Sequence, residues 1–299
     1  MASIGLSAYG MTGARLLELA VSADALGFDA LWIGEHLLRP VVQTGEHPST
    51  GTVQHHKGPL IDVGTELTDP LVVHAAIAAR TERIKLGTAV YLAPLRHPLH
   101  TARSTITVQE LSGGRLLLGV GAGWQQEEFD AFGIPFRTRI SRTEECVEVL
   151  RRAWSGEEFG YRGTHFAFDA VQVHPRPVDI PVIMGGNAQA ALARAARLGD
   201  GWFTSGTPAF DEARRLVAEV HRHREEHGRT GPFTTYVRAP KPDIAELRRY
   251  EEHGMADLVL WADAVWHGRT SAERHDNLAA FAERAGLTPV AAPKGGALA

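Results

Sequence analysis

The feature that most constrains this chain is the regular exchange of two hydrophobic periods along almost its whole length. Short apolar runs alternate with longer stretches whose apolar residues recur at helical spacing. The first run, Ile4-Gly5-Leu6-Ser7-Ala8, precedes residues 12–26, where Leu16, Leu17, Leu19, Ala20 and Ala23 share one face and Gly27 ends the helix. The same reading predicts strands at 30–34, 84–92, 115–121, 181–184, 201–204, 233–238 and 257–261. It predicts helices at 69–80, 98–111, 139–154, 188–198, 210–226, 243–253 and 271–285. Strict strand–helix alternation implies a parallel sheet. Eight such units closing on themselves give an α/β fold, the (β/α)8 TIM barrel, whose active site lies where the strands end. An open doubly wound sheet would need a break into two halves, and the pattern has none.

Two stretches depart from the alternation. Residues 41–68, after the second strand, carry no period but hold glycines, prolines and His47, His55 and His56; a loop of that length inside a compact domain reads as a functional lid. Residues 158–168 read as a short hairpin-like insertion before the fifth strand. Residues 1–288 are therefore read as one domain and 289–299, rich in Ala, Gly and Pro, as a flexible tail.

Composition narrows the chemistry. With a net charge of −4, the chain has no cationic excess to attract nucleic acid or anionic lipid. It contains no membrane-length apolar run and opens without a basic and apolar leader, so a cytoplasmic enzyme is expected. Cys146 is the single cysteine, which excludes an internal disulfide and a cysteine-ligated metal. No His-x-His follows the first strand and no Gly-x-Ser-x-Gly elbow occurs, so no metal site and no serine hydrolase are expected. The lysines are Lys57, Lys85, Lys241 and Lys294, none placed at a strand's C-terminal end, which disfavours Schiff-base chemistry.

Four strand-end segments carry unusual chemistry. Glu35 and His36 emerge together after the second strand, a carboxylate and an imidazole able to do acid–base work near neutral pH; a solvated loop pair is the plainer alternative. Gly87, Thr88, Ala89 and Val90 put small residues in the third strand, as at a bulge or a close approach of ligand to main chain, or simply at a narrow barrel layer. Gly119-Val120-Gly121-Ala122-Gly123-Trp124 is a weak dinucleotide fingerprint, without the third spaced glycine or a regular helix after it, but a plausible loop for a planar ring. Gly185-Gly186-Asn187 joins a strand to a helix and fits a phosphate on exposed N–H groups; an ordinary turn with an Asn N-cap is the alternative.

As a set, these motifs resemble the luciferase-like monooxygenase family. The resemblance rests on Gly34-Glu35-His36, Leu86-Gly87-Thr88-Ala89-Val90, Arg96-His97-Pro98-Leu99, and Leu111-Ser112-Gly113-Gly114-Arg115 with Leu118 to Trp124. It continues through Glu127-Glu128-Phe129, Phe132-Gly133, and Met184-Gly185-Gly186-Asn187 to Gly199-Asp200-Gly201-Trp202, covering residues 3–285. Within the family the chain is most like actinobacterial members that use the deazaflavin coenzyme F420. The resemblance implies a (β/α)8 fold, coenzyme F420 or alternatively FMN at the strand ends, a small-molecule substrate, a homodimer, and in some members a separate reductase. It implies that Glu35 and His36 stand beside the ring, with His36 moving a proton and Glu35 setting its tautomer or touching the ring. It implies further that Thr88, Ala89 and Val90 support the ring through a bulge with a cis peptide. Gly121, Ala122, Gly123 and Trp124 would border the ring and ribityl chain, and Gly185, Gly186 and Asn187 would hold phosphate. Trp124 stands where sugar-phosphate dehydrogenases of the family carry a glutamate, a departure that speaks against a sugar-phosphate substrate. Hydride transfer, an FMN-dependent two-component monooxygenation, and a non-catalytic flavin-binding barrel are the readings carried forward.

Overall fold

The computed structural model describes residues 3–44 and 61–289. The expected lid histidines His47, His55 and His56, and residues 290–299 of the expected tail, lie outside the described residues. The barrel staves are β1 (Ser3–Ala8), β2 (Ala30–Ile33), β3 (Lys85–Thr88), β4 (Leu116–Val120), β7 (Val182–Gly185), β8 (Gly201–Phe203), β9 (Thr234–Arg238) and β10 (Asp257–Trp261). They close in the order β1-β10-β9-β8-β7-β4-β3-β2, every pair parallel. The insertion before β7 is the antiparallel hairpin β5 (Phe159–Arg162) and β6 (Ala167–Val171).

The helices α1 (Gly13–Leu26), α2 (Pro70–Ala78), α3 (Pro98–Leu111), α4 (Gln126–Ala131), α5 (Arg139–Trp154), α6 (Gln189–Leu198), α7 (Phe210–Glu226), α8 (Ile244–Glu252) and α9 (Ser271–Arg284) complete the described fold. Their starts follow local chemistry. Asp69 accepts the N–H groups of Leu71 and Val72 ahead of Pro70, and Thr270 and Glu273 form a reciprocal capping box. Gly27 ends α1 in the left-handed region at φ 89°, a conformation glycine adopts without strain. Helix α4 was not expected: the glycine-rich loop after β4 does run into a short helix, with Glu127 and Glu128 in its first turn.

Two motifs quoted for the resemblance fasten the barrel. Arg115, at the N-terminal end of β4, donates to the carbonyls of Ser112, Ile84, Ala78 and Thr81 and to the Thr81 hydroxyl. Asp200 accepts from the Val182 N–H and from Arg151, each at 2.9 Å, tying α5 to β7. Lys85 starts β3 and pairs with Asp29 at 3.2 Å, away from the strands' C-terminal ends.

Inside the barrel, Trp32 packs against Phe203 and Tyr236 with ring centroids 4.8 and 4.6 Å away. A side chain on Gly87 would start 2.2 Å from the Trp32 ring, so the space that this glycine leaves is filled by indole. Trp32, Phe203, Tyr236, Ile183, Leu117 and Val259 together close the barrel interior below the strands' C-terminal ends.

Candidate active site at the mouth of the barrel

Side chains along a strand alternate between the barrel interior and the helices. Toward the mouth from the buried layer come Gly34, Ala89 and Gly121, each just past the end of β2, β3 or β4, and Gly185, the last residue of β7. On the other side come Ser205, two residues past β8, and Arg238, Trp261 and Ser7 on β9, β10 and β1. One half of the mouth is therefore lined by the smallest residues, the other by polar and aromatic ones.

On the small-residue half, β3 leaves regular pairing after Thr88. The Ala89–Val90 peptide is cis, as the resemblance implied. Pairing with β4 resumes at Tyr91, whose N–H donates to Gly119 O at 2.7 Å. The turn places Val90 across two neighbouring staves: a side chain on Gly121 or Gly185 would start 2.2 or 2.8 Å from a Val90 methyl. Those glycines make room for Val90, and the wall presented to the mouth is the half-buried Ala89–Val90 pair itself. Thr88 faces away from this wall: it is fully buried, and its hydroxyl donates to Gly119 O at 2.7 Å.

Glu35 and His36 are both buried, but they do not form a pair. Glu35 takes both guanidinium nitrogens of Arg96, at 3.0 and 2.7 Å, and the N–H of Leu92 at 2.8 Å. Burial pushes its carboxyl above the usual range against the opposing pull of Arg96. Its role is to anchor the chain just beyond the cis peptide, and this corrects the expectation that it governs His36. The group that does so is Glu128, from the first turn of α4, which the sequence reading gave no role. Its Oε2 lies 3.1 Å from His36 Nδ1, and its Oε1 accepts the Leu37 N–H at 2.6 Å. A carboxyl oxygen beside Nδ1 favours the tautomer that carries its proton there and leaves Nε2 as an acceptor.

Tyr9 and Trp124 hold the imidazole by their ring edges, with centroids 6.0 and 5.6 Å from it. The Tyr9 phenol is raised well above its ordinary value by burial and by the charge of Glu128, so it stays protonated. Next to Glu128, Glu127 accepts the N–H and hydroxyl of Thr44 at 2.6 and 2.7 Å. Two consecutive carboxylates of α4 thus secure the segment after β2 at two points. Gly121, Ala122, Gly123 and Trp124 form the loop between β4 and α4, with Gly123 at φ 78°.

The turn after β7 is braced from outside. Gly186 has φ 115°, and its carbonyl accepts Trp202 Nε1 at 2.8 Å. Asn187 is not the N-cap of α6: its amide exchanges two 2.8 Å hydrogen bonds with the Ser205 main chain. The cap is Ala188, which offers no side-chain acceptor, so the first N–H groups of α6 have no side-chain cap.

Comparison with known proteins accounts for this combination. The family model for luciferase-like monooxygenases matches residues 2–285. The chain belongs to that family. An uncharacterized protein of Mycobacterium tuberculosis is 32% identical over 246 residues, covering 82% of this luciferase-like chain and 83% of that protein. An F420-dependent glucose-6-phosphate dehydrogenase of Nakamurella multipartita is 30% identical over 200 residues, covering 65% of this chain and 53% of that one. Among solved structures, an F420-dependent secondary alcohol dehydrogenase in complex with an F420–acetone adduct superposes with a TM-score of 0.64 at 19% identity, covering 96% of this chain and 82% of that one. The FMN complex of the oxygenating constituent of 3,6-diketocamphane monooxygenase from Pseudomonas putida gives 0.62 at 18% identity, covering 98% and 81%. At those identities the two structures speak to the fold. The chain is thus a luciferase-like oxidoreductase or monooxygenase by family.

Proposed function

We propose that this chain transfers a hydride between coenzyme F420 and a small organic substrate at the barrel mouth, with FMN as the alternative cofactor. The observation that carries the reading is the pairing, on one half of the mouth, of the uncapped α6 N-terminus with the His36–Glu128 couple. The residues present fit the cofactor. Uncapped N–H groups beside Gly186, in a turn braced by Trp202 and Ser205, suit a phosphate. Ala89, Val90 and the loop Gly121 to Trp124 would border the ring, and Gly185, Gly186 and Asn187 the phosphate. When bound, coenzyme F420 supplies a ring carbon that gives or accepts hydride.

The chain's own part is proton management and positioning. His36 Nε2 accepts a proton from a substrate oxygen in the oxidative direction and returns it in the reductive one. Glu128, fully buried, holds the imidazole's orientation. Glu35 acts through Arg96 and Leu92 to fix the segment behind the ring wall.

The test is an absorbance titration of the purified protein with coenzyme F420 and, separately, with FMN. Saturable binding of coenzyme F420 supports the reading. Binding of FMN alone shifts it to a two-component monooxygenase fed by a separate reductase, and binding of neither refutes it.

A further inference from the structure

The half of the mouth formed by β8, β9, β10 and β1 holds a charge that the reading above does not use. Arg238 ends β9 and is 5% exposed. Its Nη1 donates to Gly206 O and its Nη2 to Ser7 Oγ, both at 3.0 Å, while Nε has no partner. The guanidinium lies over the rings of Trp261 and Phe203, 4.3 and 5.0 Å from their centroids. Among the described residues no carboxylate lies within ion-pair distance of it.

Two half-buried arginines of this fold are better satisfied, whereas the other buried arginine, Arg224 on α7, likewise leaves Nη1 without a partner. Arg96 grips Glu35 with two nitrogens, and Arg115 distributes its donors over five acceptors at the opposite end of the barrel. A guanidinium carries five N–H donors in a planar fork, so Arg238 keeps Nε and further Nη protons undonated. Nε with one Nη is the edge that receives a carboxylate with two parallel bonds; Nε is itself covered in this structure, so a ligand reaches that edge only as the covering groups move aside. Burial pushes the group down to about 9, and it is still a cation at neutral pH. A buried cation that no carboxylate among the described residues neutralises is unfavourable, and a ligand anion relieves it.

We propose that Arg238 is the receptor for a carboxylate on the substrate. The proposal rests on the cofactor reading, which occupies β3, β4 and β7 and leaves the β8–β1 half of the mouth to the substrate. A singly charged planar anion matches one cation; a phosphate dianion would call for a second, and among the described residues none stands against Arg238. The substrate class is then a small organic acid whose reacting carbon lies between this anchor and His36.

The experiment compares wild type, Arg238→Met and Arg238→Lys, each alone and loaded with coenzyme F420. Acetate, benzoate and octanoate are titrated against their neutral amides, read by tryptophan fluorescence, Trp261 being stacked on the guanidinium, and by melting temperature. Wild type should bind at least one acid at least tenfold more tightly than its amide. Arg238→Met should lose that preference, keep its cofactor affinity within about twofold, and melt at or above the wild-type temperature; Arg238→Lys should keep part of the preference. No acid preference in wild type, or one that survives in Arg238→Met, overturns the proposal. A tenfold loss of cofactor affinity in Arg238→Met overturns it too, by assigning the cation to the cofactor. If wild type shows the acid preference but binds neither cofactor, the anion receptor stands and the cofactor reading falls.

Discussion

Replacing Glu128 with glutamine isolates the function of the buried carboxylate at almost constant volume. The native carboxylate receives the Leu37 N–H at 2.6 Å and faces His36 Nδ1 at 3.1 Å, a contact that favours the tautomer with its proton on Nδ1. An amide has one acceptor oxygen, and the shorter main-chain bond should claim it. Its NH2 group then faces Nδ1, which must give up its proton to accept; the proton moves to Nε2, and the imidazole presents a donor where it formerly presented an acceptor. Acid–base assistance of this kind contributes about 10²–10⁴ in rate, so turnover in the oxidative direction should fall by that factor, or about 3–5 kcal/mol in activation free energy. Folding should change little, because a buried ion is removed along with one hydrogen bond. The assay needs no known substrate in its first stage: nitrogen chemical shifts of the His36 ring report the tautomer directly. A ring that keeps its proton on Nδ1 in Glu128→Gln would refute the reasoning, and so would unchanged turnover on an identified substrate.

Three further outcomes follow from the same geometry. Ala188→Asp gives α6 the side-chain cap it lacks, so it should stabilise the protein by about 1 kcal/mol while weakening cofactor binding at least tenfold by charge repulsion, readable as a higher melting temperature with a higher Kd. His36→Asn should retain cofactor affinity and lose about 10²–10⁴ in turnover, checked by titration and steady-state kinetics. Arg96→Met strands the buried Glu35 carboxylate and should cost about 3–5 kcal/mol, roughly 5–15 °C in melting temperature. With Glu35 raised above its unfolded value, the folded state binds the extra proton, so stability falls as pH rises through that interval. Denaturant melts should accordingly show a smaller Arg96→Met deficit at pH 5 than at pH 8.

The barrel was legible because each helix and stave carries its own period, and local signals such as Asp69-Pro70 and Gly27 mark element ends without reference to the rest of the chain. The third strand was drawn too long, since the break after Thr88 is made by the backbone turn at Ala89–Val90 and not by a change in hydrophobicity. The glycines were legible as places needing space, but not as to what fills it: Trp32 fills the space at Gly87, and Val90 the spaces at Gly121 and Gly185. The carboxylate partner of His36 was misassigned because Glu35 is adjacent in sequence, whereas Glu128 arrives from 92 residues away. Adjacent residues at a strand end point to different sides, so the neighbour along the chain is a poor guide to the neighbour in space. The Glu127-Glu128-Phe129 motif was the available signal for that residue. Its meaning depends on the short helix Gln126–Ala131, which a glycine-rich run does not announce.

The aromatic layer of Trp32, Phe203 and Tyr236 has a consequence for molecular traffic. Because it fills the barrel below the site, the mouth serves as both entrance and exit among the described residues. Reactant arrival and product departure therefore contend for one doorway. Whatever lies deeper must enter before, and leave after, whatever covers it. A barrel closed in this way imposes a sequence of events on its ligands through shape alone, before any difference in affinity comes into play.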